Sequence, residues 1–298
     1  MKKTQFLFLL LLVGLPAFAQ LSKNSKWTGG LKDRYNVTEN VIYSTVDTTS
    51  NRLDLYVPKN ASKPSPVLVW IHGGGWNRLS KDSVSGQIIP YLEYGWIVVN
   101  VDYRLTPVAL APAAVQDCRC VLRWIEMNAK RFKVDTRRIV VSGTSAGGHL
   151  ALITGMLPRG VAYDTLCATV ETPRVAAIVN HYGITDVNDL LDGANRKGYA
   201  VSWIGDRPNR EEIARAVSPL TYVRKGLPPV FSVQGDTDPT VPFTHAVRLH
   251  AALDSLGVPN EFVTIPGGKH GRFTKEENEM IRVRIENFLK KHGILTAN

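Results

Sequence analysis

The chain has 298 residues, a formal net charge of +10, 44% hydrophobic and 21% charged residues. That composition excludes wholesale disorder and fibrous repeats, and the length suffices to bury a sizeable core in one large domain or two small ones. The basic balance raises nucleic acid as a partner, but the lysines and arginines are dispersed, with small knots only at Lys130-Arg131, Lys133 and Arg137-Arg138, and no nucleic-acid module accompanies them.

In chain order, Lys2 and Lys3 precede an apolar run at 6–15 and then Ala17-Phe18-Ala19, a small-x-small cleavage pattern ahead of Gln20. The run is shorter than the roughly 20 residues a bilayer span needs. Residues 1–19 are therefore expected to be a signal peptide, with an uncleaved anchor as the alternative. The mature protein would be secreted or periplasmic, start near Gln20 and carry +8. No later stretch is apolar enough to span a membrane.

Residues 20–50 read as a short polar lead-in, and 51–298 as one domain. Residues 52–57 alternate Leu53, Leu55, Val57 with Arg52, Asp54, Tyr56, a half-buried strand. Continuous apolar runs follow at 67–71, 97–101, 139–141, 175–179, 230–233 and 262–265, which fit strands covered on both faces in a parallel sheet. Between them lie helical patterns. Residues 112–131 carry Val115, Cys118, Leu122, Ile125 and Ala129 on one stripe, 242–256 reads as a further helix, and the last opens with Thr274-x-x-Glu277, a capping box, and stops near Gly293. Strands alternating with amphipathic helices predict an α/β fold, a mostly parallel sheet with helices on both faces. Residues 184–222 have weak strand signals and are expected to be an insertion beside the site.

Chemistry gathers where the predicted strands end. Strand 67–71 runs into His72-Gly73-Gly74-Gly75-Trp76, whose glycines let main-chain N–H groups turn toward a ligand. Strand 139–142 runs into Gly143-Thr-Ser145-Ala-Gly147 and then a helix over 149–156, the strand–turn–helix setting that G-x-S-x-G requires. A serine at such a turn is a candidate nucleophile, with Gly74, Gly75 and Ala146 as candidate oxyanion donors. Serine needs a base. Of the seven histidines, His270 stands between the last strand and the last helix and is the candidate, with His245 the alternative. The acid belongs after strand 230–234, in Gly235-Asp236-Thr-Asp238-Pro-Thr-Val-Pro242; Asp238 sits at the loop crest and is preferred over Asp236, which reads as a turn cap. The order Ser145…Asp238…His270 is the α/β-hydrolase order.

These motifs, His72-Gly-Gly-Gly-Trp76, Asp102-Tyr-Arg-Leu105, Gly143-Thr-Ser-Ala-Gly-Gly148 and Gly235-Asp-Thr-Asp238, resemble the α/β-hydrolase esterases related to hormone-sensitive lipase. With Leu53-Asp-Leu-Tyr-Val-Pro58 and the export signal, the chain looks closest to bacterial acetyl-xylan and feruloyl esterases. The resemblance implies the fold, the triad and a carboxylic-ester substrate, a small acyl ester or acylated polysaccharide. The chain departs in its short N-terminus, which predicts a small or absent cap and an open site. Trp76, Tyr182, Trp203 and Phe243 are candidate pocket aromatics, with core packing as the alternative role. No metal motif or dinucleotide fingerprint appears, and the chemistry needs no cofactor. A peptidase or amidase on the same fold and an inactive hydrolase-fold binding protein are the competing readings. The three cysteines, Cys118, Cys120 and Cys167, leave room for at most one disulfide, and buried free thiols are expected.

Overall fold

Eight strands form one sheet in the order β1-β2-β4-β3-β5-β6-β7-β8. The computed structural model describes residues 30–31, 33–83, 86–167 and 171–296, so the expected signal peptide at 1–19 lies outside the described residues. Residues Tyr35–Asn298 make one unit; residues 30–31 and 33–34, which belong to a separate one, are helical.

The strands are β1 (Tyr35–Val46), β2 (Thr49–Pro58), β3 (Ser65–Ile71), β4 (Ile97–Val101), β5 (Val134–Thr144), β6 (Ala177–His181), β7 (Val230–Gly235) and β8 (Asn260–Ile265). Pairings β1–β2 and β2–β4 are antiparallel and all others parallel. Every residue of β3, β4 and β7 is buried, as mainly apolar runs require of strands covered on both faces. The α/β-hydrolase expectation holds. The lead-in expectation does not: residues 35–46 are the edge strand β1. Only Tyr35 and Tyr43 of β1 are buried, and two register shifts interrupt its period of two, so no alternating apolar run marks it.

Helices α1 (Ile89–Glu93), α2 (Ala113–Phe132), α3 (Ala146–Met156), α4 (Gly198–Ile204), α5 (Arg210–Ala216), α6 (Thr244–Ser255) and α7 (Lys275–Lys291) fill the connections. The α7 capping box forms in both directions: Glu277 N–H donates to Thr274 Oγ1, and Thr274 N–H donates to the Glu277 carboxylate. The 182–229 segment carries no strand and includes α4 and α5. The thiol expectation is corrected. Cys120 and Cys167 form a disulfide, and only Cys118 is free and buried. Side chains two apart on a helix point to nearly opposite sides, so Cys118 enters the core while Cys120 meets the turn at Ala162–Cys167. Beside it, the Arg119 guanidinium pairs with Asp164 at 2.6 Å, tying the same turn to α2.

Register fixes the place of the site. Ile71 pairs with Val101 and Gly143, Thr144 with His181, His181 with Val233, and Gly235 with Ile265. The carboxyl ends of six parallel strands thus share one edge, where α/β sheets present ligand-binding loops.

Candidate active site

Ser145 occupies the turn between β5 and α3 with φ 56° and ψ −119°, a conformation L-residues rarely adopt. The flanking glycines permit it. A Cβ on Gly147 would stand 2.1 Å from Ile71 O, and one on Gly143 2.5 Å from the Gly147 backbone, so strand and helix close around the serine only because both are absent. Ser145 Oγ hydrogen-bonds His270 Nε2 at 2.8 Å, and His270 Nδ1 meets Asp238 Oδ2 at 2.7 Å. The Asp238 side chain is wholly buried and its Oδ1 accepts the N–H groups of Thr240 (2.8 Å) and Val241 (3.0 Å). The geometry therefore orders three groups in a line: hydroxyl, imidazole, carboxylate.

The rejected candidates are engaged elsewhere. Asp236 accepts the Gly267 N–H at 2.7 Å and so braces the loop that carries His270. His245 is buried and pairs with Asp189 at 3.1 Å.

The glycine loop lies directly over Ser145. A Cβ on Gly73 would fall 3.4 Å from Ser145 Cβ, and Gly74 has φ +107°. Among the described residues no protein acceptor takes the N–H of Gly74, Gly75 or Ala146, whereas Ser145 N–H is already given to His181 O. These unclaimed donors, Ala146 among them at the first turn of α3 where the helix dipole also favours negative charge, suit a developing oxyanion. The Asp102-Tyr-Arg-Leu motif fastens this loop. Tyr103 stacks on His72 with centroids 4.4 Å apart, and its hydroxyl donates to His72 O (3.1 Å) and Gly73 O (3.3 Å). Arg104 is anchored in turn by the fully buried Asp117 at 2.8 Å. Burial pushes the His72 imidazole down to about 4, so it is a neutral part of the scaffold. Tyr103 is a site-supporting residue for which the motif was the only sequence signal.

The four aromatics part company. Tyr182 reaches the triad, edge-on to His270 at 4.8 Å, and burial pushes its phenol up to about 12. Trp76 and Trp203 are wholly buried and stack on each other at 4.1 Å, which makes them the packed floor behind the glycine loop. Phe243, half-buried, packs against Phe262 at 5.6 Å. Beside Thr144, Tyr182 and Gly271 a cavity of about 540 Å³ opens between α1 and α7, walled by Tyr91, Tyr94, Phe273, Ile281 and Ile285. Among the described residues no group of His, Cys, Asp and Glu could hold a metal ion, and no helix is long and apolar enough to cross a membrane.

Comparison with known proteins gives consistent relatives. The family described as BD-FAE matches residues 53–253. Esterase LipC of Mycobacterium tuberculosis is 28% identical, over 80% of this chain and 60% of its own length, so the chain spans less than two thirds of that relative. Among solved structures, a truncated carbohydrate esterase from gut microbiota superposes with TM-score 0.74 at 26% identity, covering 88% of this chain and 98% of that one. A thermophilic esterase from Thermogutta terrifontis with propionate bound gives TM-score 0.71 at 28% identity, covering 87% and 96%.

Proposed function

The chain belongs to the BD-FAE family, and from that premise we propose that it is an exported serine esterase that removes acetyl or hydroxycinnamoyl groups from plant-type polysaccharide or oligosaccharide. The observation that carries the reading is the continuous hydrogen-bonded line from Ser145 Oγ through His270 to Asp238.

In the proposed reaction His270 Nε2 takes the Ser145 proton as Oγ attacks the ester carbonyl. The N–H groups of Gly74, Gly75 and Ala146 hold the tetrahedral oxyanion. His270 then passes the proton to the departing alcohol, leaving an acyl-serine. Water, activated by the same imidazole, releases the acid and restores Ser145. Asp238 keeps the imidazole in the tautomer whose Nε2 can accept and stabilises its cation. The cavity beside Tyr182 is within the range of about 300–1,000 Å³ that small-molecule sites occupy, so it supports an aromatic acyl group as well as acetyl.

Export is supported by the N-terminal pattern at 1–19 and, independently, by the Cys120–Cys167 disulfide, which persists in oxidising compartments.

Short-chain p-nitrophenyl esters test the chemistry. Wild type should turn them over, and Ser145→Ala should lose on the order of 10⁶-fold in kcat. A wild type inactive on every ester, or active only on peptide anilides, rejects the reading. Acetate and ferulate release from acetylated and feruloylated xylan, measured in parallel, then identifies the acyl group.

A further inference from the structure

One side chain of the segment between β6 and β7 touches both halves of the site. Tyr199 stands at the start of α4. A Cβ placed on Gly75 would lie 3.2 Å from Tyr199 Cβ, so the tyrosine stem packs against the glycine loop at one of its free donors. At the other end the Tyr199 hydroxyl donates to Thr240 O at 3.0 Å. The Thr240 carbonyl and the Val241 N–H belong to the same planar peptide group. That N–H is one of the two donors on Asp238 Oδ1, at 3.0 Å; the Thr240 N–H is the other, at 2.8 Å. Two residues earlier, Lys197 Nζ donates to Pro239 O at 3.0 Å, so the start of α4 grips two consecutive carbonyls of the acid-bearing loop. The far end of α4 is held by Trp203, stacked on Trp76, with its carbonyl accepting from Ala111 N–H at 2.9 Å.

We propose that Tyr199 is a positioning residue for ester hydrolysis: it clamps the acid loop to the oxyanion loop and orients the Thr240–Val241 peptide that orients Asp238. The proposal rests on the Ser145–His270–Asp238 reading above. Its physical basis is that each loop is soft alone, the one because Gly74 and Gly75 restrict the backbone little, the other because it is a turn. A peptide group bonded at both its carbonyl and its N–H cannot rotate without breaking one bond. A donor on the carbonyl also polarises the group and strengthens its N–H as a donor toward the carboxylate. Without the hydroxyl the peptide is held from one side only, and the Asp238 carboxylate loses definition relative to His270.

The test uses Tyr199→Phe, which keeps the ring against Gly75 and deletes the hydroxyl, and Tyr199→Leu, which also loosens the Gly75 contact. Reactive serines are counted by stoichiometric labelling with a chromogenic organophosphate, and kcat and KM for p-nitrophenyl acetate are expressed per labelled serine. Misfolded molecules thereby drop out of the rate. Tyr199→Phe should lower kcat about 5- to 30-fold, with KM changed less than twofold, and Tyr199→Leu should lower it further. Wild-type kcat per labelled serine in Tyr199→Phe overturns the proposal, as does a loss confined to the number of labelled serines or to KM. A wild type that neither reacts with the organophosphate nor turns over the ester overturns the esterase reading and this proposal with it; active wild type and unaffected Tyr199→Phe overturn this proposal alone.

Discussion

Ser145 holds its strained backbone because Gly143 and Gly147 leave no Cβ in the gap between β3, β5 and α3. The glycine loop depends on the same economy of atoms. A Cβ on Gly74, already at φ +107°, would stand 2.1 Å from Arg78 O. Gly74→Ala should therefore misplace the N–H it contributes and lower kcat by about 10²–10³, read on a short-chain ester with circular dichroism as the control for folding. Several histidines contribute to the acid response. Burial pushes His72, His149 and His181 down to about 4 and lowers His245 and His250 as well, whereas in the unfolded chain an imidazole titrates near 6.5. Between those values the unfolded chain binds the extra protons. Stability is thus complete above about pH 6.5 and falls as pH drops toward 4, by up to about 1.4 kcal/mol per pH unit for each histidine. Urea midpoints at pH 7, 6 and 5 should reveal that slope, and His149→Gln should make it shallower. At this scale the triad was legible because each member sits at a fixed offset from a strand end. The contacts of Tyr103, marked only by its motif, and of Tyr199, marked by nothing, were not, since their partners lie about 30 and 41 residues away along the chain.

Among the elements, α2 illustrates how a helix serves two contacts at once. Its buried stripe faces the sheet, while Cys120, Arg119 and Arg123 on another side fasten the turn at Ala162–Cys167. The disulfide closes a loop of 47 residues, for which loop entropy predicts up to about 4 kcal/mol. Cys120→Ser should lower unfolding stability by about 2–4 kcal/mol, measured by chemical denaturation, and leave kcat unchanged because none of these residues touches the Ser145 loop. Strands β3, β4 and β7 were legible as mainly apolar runs, since burial on both faces admits few polar side chains, and those present, such as Asn100 and Ser232, find hydrogen-bond partners inside. Strand β1 was hidden for the opposite reason: it covers the sheet edge with two tyrosines and leaves the remainder to solvent. The short α4 was equally hidden, having too few residues to display a helical period, although it carries Tyr199 and Trp203.

Across the whole molecule, the sheet edge that carries Ser145 leaves that residue half-buried. Export makes a prediction of its own: protein recovered from the periplasm or medium should begin at Gln20, as N-terminal sequencing or intact mass would read. Recovery of the full-length chain with Met1 rejects it. The net charge of +10 that first suggested nucleic acid accompanies the proposed ester-hydrolase site instead. By itself the sequence determined the fold class and singled out Ser145, His270, Asp238 and the glycine loop as the proposed site, because these depend on local rules: burial period, turn chemistry and the strand-end positions where a parallel sheet exposes its loops. Only tertiary structure decided which aromatics face the site, which cysteines pair, and that Tyr199 joins the two loops. Those outcomes depend on contacts between segments far apart in the chain, where close packing admits one arrangement and the sequence carries no period to announce it.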